Sequence, residues 1–158
     1  KAFVQQHFNP KAIIATSGPD QGKTFSDAVG KRNTEGIMVP EDWWAGAKTY
    51  QNSLFVKTYL QMFHGKAQDI STDSAEAYSV GQTFYQVVKK THTLNNGTII
   101  KGLHKYHFNT VEGPNWYSKY GQPHGQRFLV QWLKGKPTPV YPPRLATHKP
   151  EFPKPSWK

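Results

Sequence analysis

Ala12-Ile13-Ile14-Ala15-Thr16-Ser17-Gly18-Pro19-Asp20-Gln21-Gly22-Lys23-Thr24, followed ten residues later by Glu35-Gly36-Ile37-Met38-Val39-Pro40, decides the fold class. Two short apolar runs, each bounded by Pro or Gly, suit strands, and the first is expected to be buried on both faces, as in a parallel sheet. Between them Thr24-Phe25-Ser26-Asp27-Ala28-Val29-Gly30 has the length of a short helix, with Thr24 able to cap it and Gly30 able to stop it. Strand, loop, helix, strand is an α/β unit. In such sheets ligands lie beyond the carboxyl ends of the strands, which directs attention to the loop Gly18 to Thr24.

Working outward, helices dominate the middle of the chain. From Asn52 the residues Leu54, Phe55, Tyr59, Met62 and Phe63 recur at helical spacing until His64-Gly65. A second helix is expected from about Ser74 to Lys90, with small residues such as Ala75, Ala77 and Gly81 among its aromatics. Leu94-Asn95-Asn96-Gly97 reads as a turn before a short helix through Ile99, Ile100 and Leu103. From Tyr106 the pattern changes to aromatics separated by Gly-Pro and Gly-Gln-Pro, the mark of short strands and turns. Arg127 to Leu133 is the clearest late strand, Lys134-Gly135-Lys136 its turn, and Thr138 to Tyr141 its return. The proline-rich tail from Pro142 cannot be helical, and Leu145, Phe152 and Trp157 are its expected anchors.

Composition removes several function classes. The chain of 158 residues has no cysteine, which excludes a disulfide scaffold, a thiol nucleophile and a Cys-based zinc site. Aromatics make up 14% of it, too many for a disordered segment. No run approaches the length of a membrane span. The opening Lys1-Ala2-Phe3-Val4-Gln5-Gln6 has no signal-peptide pattern, and Phe3, Val4 and Phe8 are spaced like a helix tail, so the natural beginning is expected to lie upstream. A net charge of +10 raises nucleic-acid binding as an alternative, but the basic residues are scattered and accompany no recognition motif. Nucleic acid is therefore not an expected partner.

The loop Ser17 to Thr24 is one residue from a phosphate-binding loop, and a nucleotide-binding protein is the other alternative. Three features oppose it: Ser17 replaces the first glycine, Pro19 removes an N–H, and Asp20 sets a negative charge where phosphates would lie. His104 and His107 have chelating spacing, but with no carboxylate nearby except Glu112 they read as a surface pair. No catalytic constellation, metal site or cofactor motif is legible, and an enzyme is not expected.

The order of pieces resembles the C-terminal half of type I periplasmic solute-binding proteins, the branched-chain amino-acid-binding family of ABC importers. The resemblance is carried by Asn9-Pro10-Lys11-Ala12-Ile13-Ile14 with Gly18-Pro19-Asp20, then Phe25 to Gly30, then Thr34-Glu35-Gly36-Ile37-Met38-Val39. It continues through Phe55-Val56-Lys57-Thr58-Tyr59, Ala77-Tyr78-Ser79-Val80, Asn109-Thr110-Val111-Glu112-Gly113-Pro114 and Phe128-Leu129-Val130-Gln131-Trp132. It implies two α/β lobes with solute in the cleft between them, here incomplete without an N-terminal half. Residues 1–41 and 127–158 would belong to the second lobe, and 42–126 to the returning part of the first.

The resemblance also implies partners and a site. The partners would be a small polar solute, an ABC transporter permease and the protein's own N-terminal half. The location would be periplasmic or extracellular, with any signal or lipid anchor in the missing N-terminus. The solute would be an amino acid or a related amide or urea-like molecule, its ammonium met by Asp20 in the Gly18-Pro19-Asp20 segment. Asp73 stands where relatives often place an aromatic, and with Glu76 it would favour a ligand with several donors. Both acids are otherwise explained as first-turn residues favoured by the helix dipole. Trp43 could wall the cleft or pack in a core.

Overall fold

The computed structural model describes residues 2–157. The chain folds into two compact units, each made of separate stretches: unit 1 is Lys1–Glu41, Gly65–Thr72 and Arg127–Lys158, and unit 2 is Asp42–His64 and Asp73–Gln126. The sequence reading puts residues 65–72 in the middle segment, whereas they pack with unit 1. The reason is tertiary: a Cβ on Gly22 would lie 3.3 Å from the Asp69 carbonyl oxygen, so this segment rests directly on the turn at Gly22.

Unit 1 is built on a four-stranded sheet. The strands β1 (Ile13–Ile14), β2 (Ile37–Glu41), β6 (Phe128–Leu133) and β7 (Lys136–Tyr141) lie side by side in that order. β1 and β2 are parallel, and β2, β6 and β7 are antiparallel in turn. Between β1 and β2 the chain forms helices α2 (Lys23–Val29) and α3 (Lys31–Thr34), preceded by a 3-10 turn over Pro19–Gln21. A helix α1 (Ala2–Gln5) precedes β1. Val39, Val130 and Trp132 are almost fully buried, so the core lies on the central strands β2 and β6.

Neighbouring side chains of β6 point to opposite faces and do different work. Trp132 packs on Phe25 of α2 with ring centroids 5.6 Å apart. Gln131, fully buried, is the tail's clamp: its Nε2 donates to the carbonyls of Gly36 at 3.2 Å and Glu151 at 2.9 Å, and its Oε1 accepts from Glu151 N–H at 2.8 Å. Each polar atom of this buried amide therefore has a partner, which is what makes its burial tolerable.

Three expectations are corrected in unit 1. β1 is not covered on both faces, since Ile14 is 62% exposed, and among the described residues it pairs only with β2, at the edge of the sheet. Helix α2 starts from Gly22 without a side-chain cap, so Thr24 is a helical residue and not the cap. Of the expected tail anchors, Phe152 is 69% exposed, and the buried tail residue is Lys154. Its N–H reaches the Lys11 carbonyl, and its Nζ donates to Asn9 Oδ1 at 2.7 Å and the Pro155 carbonyl at 2.8 Å. Nζ also stands 3.7 Å from the Trp157 ring centroid, so the ammonium is satisfied although burial lowers its pKa.

The tail can lie this close because Gly36 has no side chain. Gly36 has φ +80, and a Cβ there would fall 2.5 Å from Lys154 Cβ and 3.2 Å from its Cα. Gly36→Ala is expected to displace the tail and lower stability by about 1–3 kcal/mol. Faster proteolysis after Pro142 with the sheet still folded is the expected reading, and an unchanged cleavage pattern would count against the clamp.

Unit 2 carries the long helices α4 (Asn52–Phe63), α5 (Thr72–Thr91, within this unit from Asp73) and α6 (Asn96–Lys105), with a small sheet of β3 (Phe108–Thr110), β4 (Gly113–Tyr117) and β5 (Pro123–His124). α4 ends at His64, as its pattern predicts, and α6 is capped by Asn95, whose side chain accepts from Thr98 N–H. Gly102 lets α6 approach α5, since a Cβ there would meet Val87 at 2.7 Å. Val87, Ile99 and Phe108 form the buried cluster at this crossing. Much apolar surface stays uncovered: Leu54, Met62 and Phe63 of α4 and Val80, Phe84 and Tyr85 of α5 are half or more exposed.

Candidate functional site

Gly18 and Asp20 occupy one turn of unit 1, just past the carboxyl end of β1. Gly18 has φ 100, outside the range of most residues, and turns the chain into the 3-10 segment. Pro19 is buried and its carbonyl accepts a hydrogen bond from Trp132 Nε1 at 2.9 Å. That bond ties the turn to the central strand β6, so Asp20 sits on a fixed support. Asp20 itself is half-buried, and its Oδ1 is shielded from water without a hydrogen-bond partner among the described residues. A shielded carboxylate oxygen with no donor is costly. The arrangement can accept a hydrogen bond, best from a cation.

The phosphate-loop alternative finds no support here. Lys23, the residue such a loop aims at the anion, is turned to Asp27 one helical turn on, and this contact raises its pKa. Gly22 faces the 68–69 backbone rather than an open cradle.

Asp73 and Glu76 lie in unit 2, exposed on the first turns of α5, and each interacts with a neighbour. Trp43 is only 3% exposed. Its ring meets Phe55 edge-on at 5.7 Å and its Nε1 donates to Asn52 Oδ1 at 2.6 Å. The Asn52 amide then donates to the carbonyls of Ala45 and Ala47. Trp43 is therefore a core residue whose one donor is taken, and the reading of it as a cleft wall is replaced by packing within unit 2. The histidine pair divides: His104 Nδ1–H donates to the Ser118 carbonyl at 2.6 Å, while His107 stacks on Trp116.

Sequence reasoning misses one titratable group, Glu112. Gln82 of α5 holds the loop before β4, its Oε1 accepting from Val111 N–H at 2.8 Å and its Nε2 donating to Gln51 Oε1 at 3.1 Å. This brings Glu112 under cover, and burial, then the charges of Glu76 and Asp42, push its pKa up to about 7. The Ser79 hydroxyl eases this slightly without reaching hydrogen-bond geometry. Because the folded protein holds this proton more tightly than the unfolded chain does, the stabilisation is complete below the ordinary value of 4.5 and is lost as pH rises through about 7. The whole effect stays below the roughly 3–4 kcal/mol of the full shift, because solvent screens this partly exposed group. Glu112→Gln is expected to flatten the fall of Tm between pH 5 and pH 8, and an unchanged slope would contradict this environment. Only a neighbour's approach in space creates the site, so nothing local in the sequence could reveal it.

Among solved structures, the chain is similar to the branched-chain amino-acid transporter substrate-binding protein LivJ of Streptococcus pneumoniae, determined with isoleucine: 15% identity over 98% of this chain and 48% of that one, TM-score 0.68. The leucine-binding protein LivK of Thermotoga maritima matches at 14% identity over 86% of this chain and 45% of that one, TM-score 0.67. A solute-binding protein of R. palustris in complex with benzoate matches at 14% identity over 88% and 44%, TM-score 0.61. No curated protein sequence matches the chain. The fold is that of type I periplasmic binding proteins, and the chain spans under half the length of these solved proteins. A family model described as periplasmic binding protein matches residues 1–137, most of the sequence. On that match and that fold, the chain belongs to the periplasmic binding protein family, whose members are extracytoplasmic solute-binding proteins.

Proposed function

We propose that the chain is part of the solute-binding component of an ABC importer and takes an amino acid, or a related polar solute such as an amide, with Asp20 receiving its ammonium or amide N–H. The observation that carries this reading is the shielded Oδ1 of Asp20, without a partner among the described residues, just past the carboxyl end of a strand. The isoleucine and leucine named for two structural neighbours support an amino acid. The benzoate of a third is an acid without an ammonium, and an unpaired carboxylate at Asp20 opposes such a ligand by charge.

The mechanism is binding and lobe closure without bond chemistry, followed by delivery to a membrane permease. Asp73, Glu76 and Gly18 remain secondary ligand contacts in this reading, which keeps the protein outside the enzymes. The N-terminal half is the partner that would cover the open edge of β1 at Ile14 and the apolar faces of α4 and α5. In this reading residues 1–41 and 127–158 belong to the second lobe and 42–126 to the first, with 65–72 packing as second-lobe material. The location is periplasmic or extracellular, with a membrane anchor supplied from the same N-terminal part. Isothermal titration of the chain joined to its N-terminal half, against amino acids, amides and urea-like solutes, tests the reading. At least one donor-bearing solute is expected to bind in the micromolar range or tighter, and a flat response to the whole panel contradicts it.

A further inference from the structure

We propose that the corner of unit 2 where α5 ends and α6 begins and ends is a docking surface for an anionic lipid bilayer, independent of the solute site. From Ala77 to Val111 the sequence has no Asp or Glu, yet it carries Lys89, Lys90, Lys101 and Lys105. Folding gathers these charges. Lys89 and Lys90 are the last turn of α5, and Lys105 is the last turn of α6 with Lys101 one turn before it. Lys90 Nζ and Lys105 Nζ lie 5.2 Å and 5.5 Å from the centroid of the same ring, Tyr106, so these two lysines from different helix ends meet at one ring, while Lys89 Nζ lies 6.0 Å from the Tyr85 centroid. All four lysines are exposed. Among the described residues none of the four pairs with a carboxylate. The charge at this corner is thus uncompensated by the protein.

Apolar residues decide what kind of anion fits. Leu94, in the turn joining the helices, is 71% exposed, and Ile100 on α6 is 54% exposed next to Lys101. A nucleic acid or a small anion offers nothing to a bare leucine and isoleucine. The headgroup region of a bilayer offers both partners at once: phosphates for ammonium groups on flexible stems, and an acyl boundary a few ångströms deeper for branched aliphatic side chains. Tyr106, with a polar tip and two lysines against its ring, suits the same layer. An acidic protein is the competing occupant and is separated by the test.

Flotation of the chain joined to its N-terminal half, with vesicles of phosphatidylcholine alone or with about 30% phosphatidylglycerol, reads the proposal. Binding to the anionic vesicles that weakens as salt rises is expected, with little to phosphatidylcholine. Lys89→Glu, Lys90→Glu, Lys101→Glu and Lys105→Glu together should lower partitioning by about a hundredfold or more. The same reversal at Lys31, Lys134, Lys136 and Lys149 of unit 1 changes net charge equally and should lower it by less than about fivefold. Leu94→Ser with Ile100→Ser, which leaves charge untouched and serves if the fourfold variant fails to fold, should cost about tenfold. Equal loss in both lysine sets overturns the proposal by assigning binding to net charge. Absence of flotation overturns it directly. Binding to polyglutamate as tight as to vesicles, undiminished by the two serines, overturns it in favour of an acidic protein.

Discussion

Trp132→Ala is expected to lower stability by about 3–5 kcal/mol, a large share of the roughly 5–15 kcal/mol that holds an ordinary domain together. The side chain is 1% exposed, its ring packs on Phe25, and its indole N–H holds the Pro19 carbonyl. Removal leaves a cavity between β6 and α2 and strands a buried carbonyl at the same time. Trp132→Phe separates the two effects: the ring contact is largely kept, the donor is lost, and the cost should fall to about 1–2 kcal/mol. Because the lost bond is the one that steadies the Asp20 turn, this variant should stay folded and still bind solute more weakly. Urea unfolding and solute titration on the same two variants check both halves. A Trp132→Phe protein with full affinity would show that the turn holds its shape without the strand.

The parts of this fold that were legible are those whose cause is local. The apolar spacing in Asn52 to Phe63 ends at His64 in both sequence and structure, because the periodic run and its stop sit in one stretch. The β6–β7 hairpin is announced by Lys134-Gly135, and both residues take the positive φ that the turn needs. What stayed hidden depends on residues far apart. Whether Ile14 is covered depends on a neighbouring strand that the sequence does not identify. Trp43 becomes core through Asn52, and Glu112 becomes a raised carboxyl through Glu76 and Asp42. Residues 65–72 leave their sequence neighbours for unit 1 through a contact with Gly22, and the tail is held by Lys154 because a lysine can bury its stem when its ammonium finds oxygen partners. At the candidate site, sequence could point to Gly18-Pro19-Asp20. That one oxygen of Asp20 lacks a partner among the described residues, and that Trp132 steadies the turn, depends on how the chain folds.

Asp20→Asn is the second large effect. If the carboxylate meets a ligand cation in a site closed to water, neutralising it removes a charge-assisted hydrogen bond that no other group on the turn can replace, a loss of about 2–4 kcal/mol or on the order of a hundredfold in affinity. Stability should move the other way or stay level, since the unpartnered Oδ1 is a cost to the folded chain. A binding site tuned at the expense of stability gives this opposition, whereas a turn residue kept for its geometry gives a loss of both.

The most direct test is a double-mutant cycle by isothermal titration on the assembled protein, pairing Asp20 and Asp20→Asn with the best-bound amino acid and its deaminated carboxylic acid. The substitution should weaken the amino acid by about a hundredfold and leave the deaminated acid unchanged or slightly tighter. Equal weakening of both ligands, or of neither, would contradict Asp20 as the receptor of the ammonium.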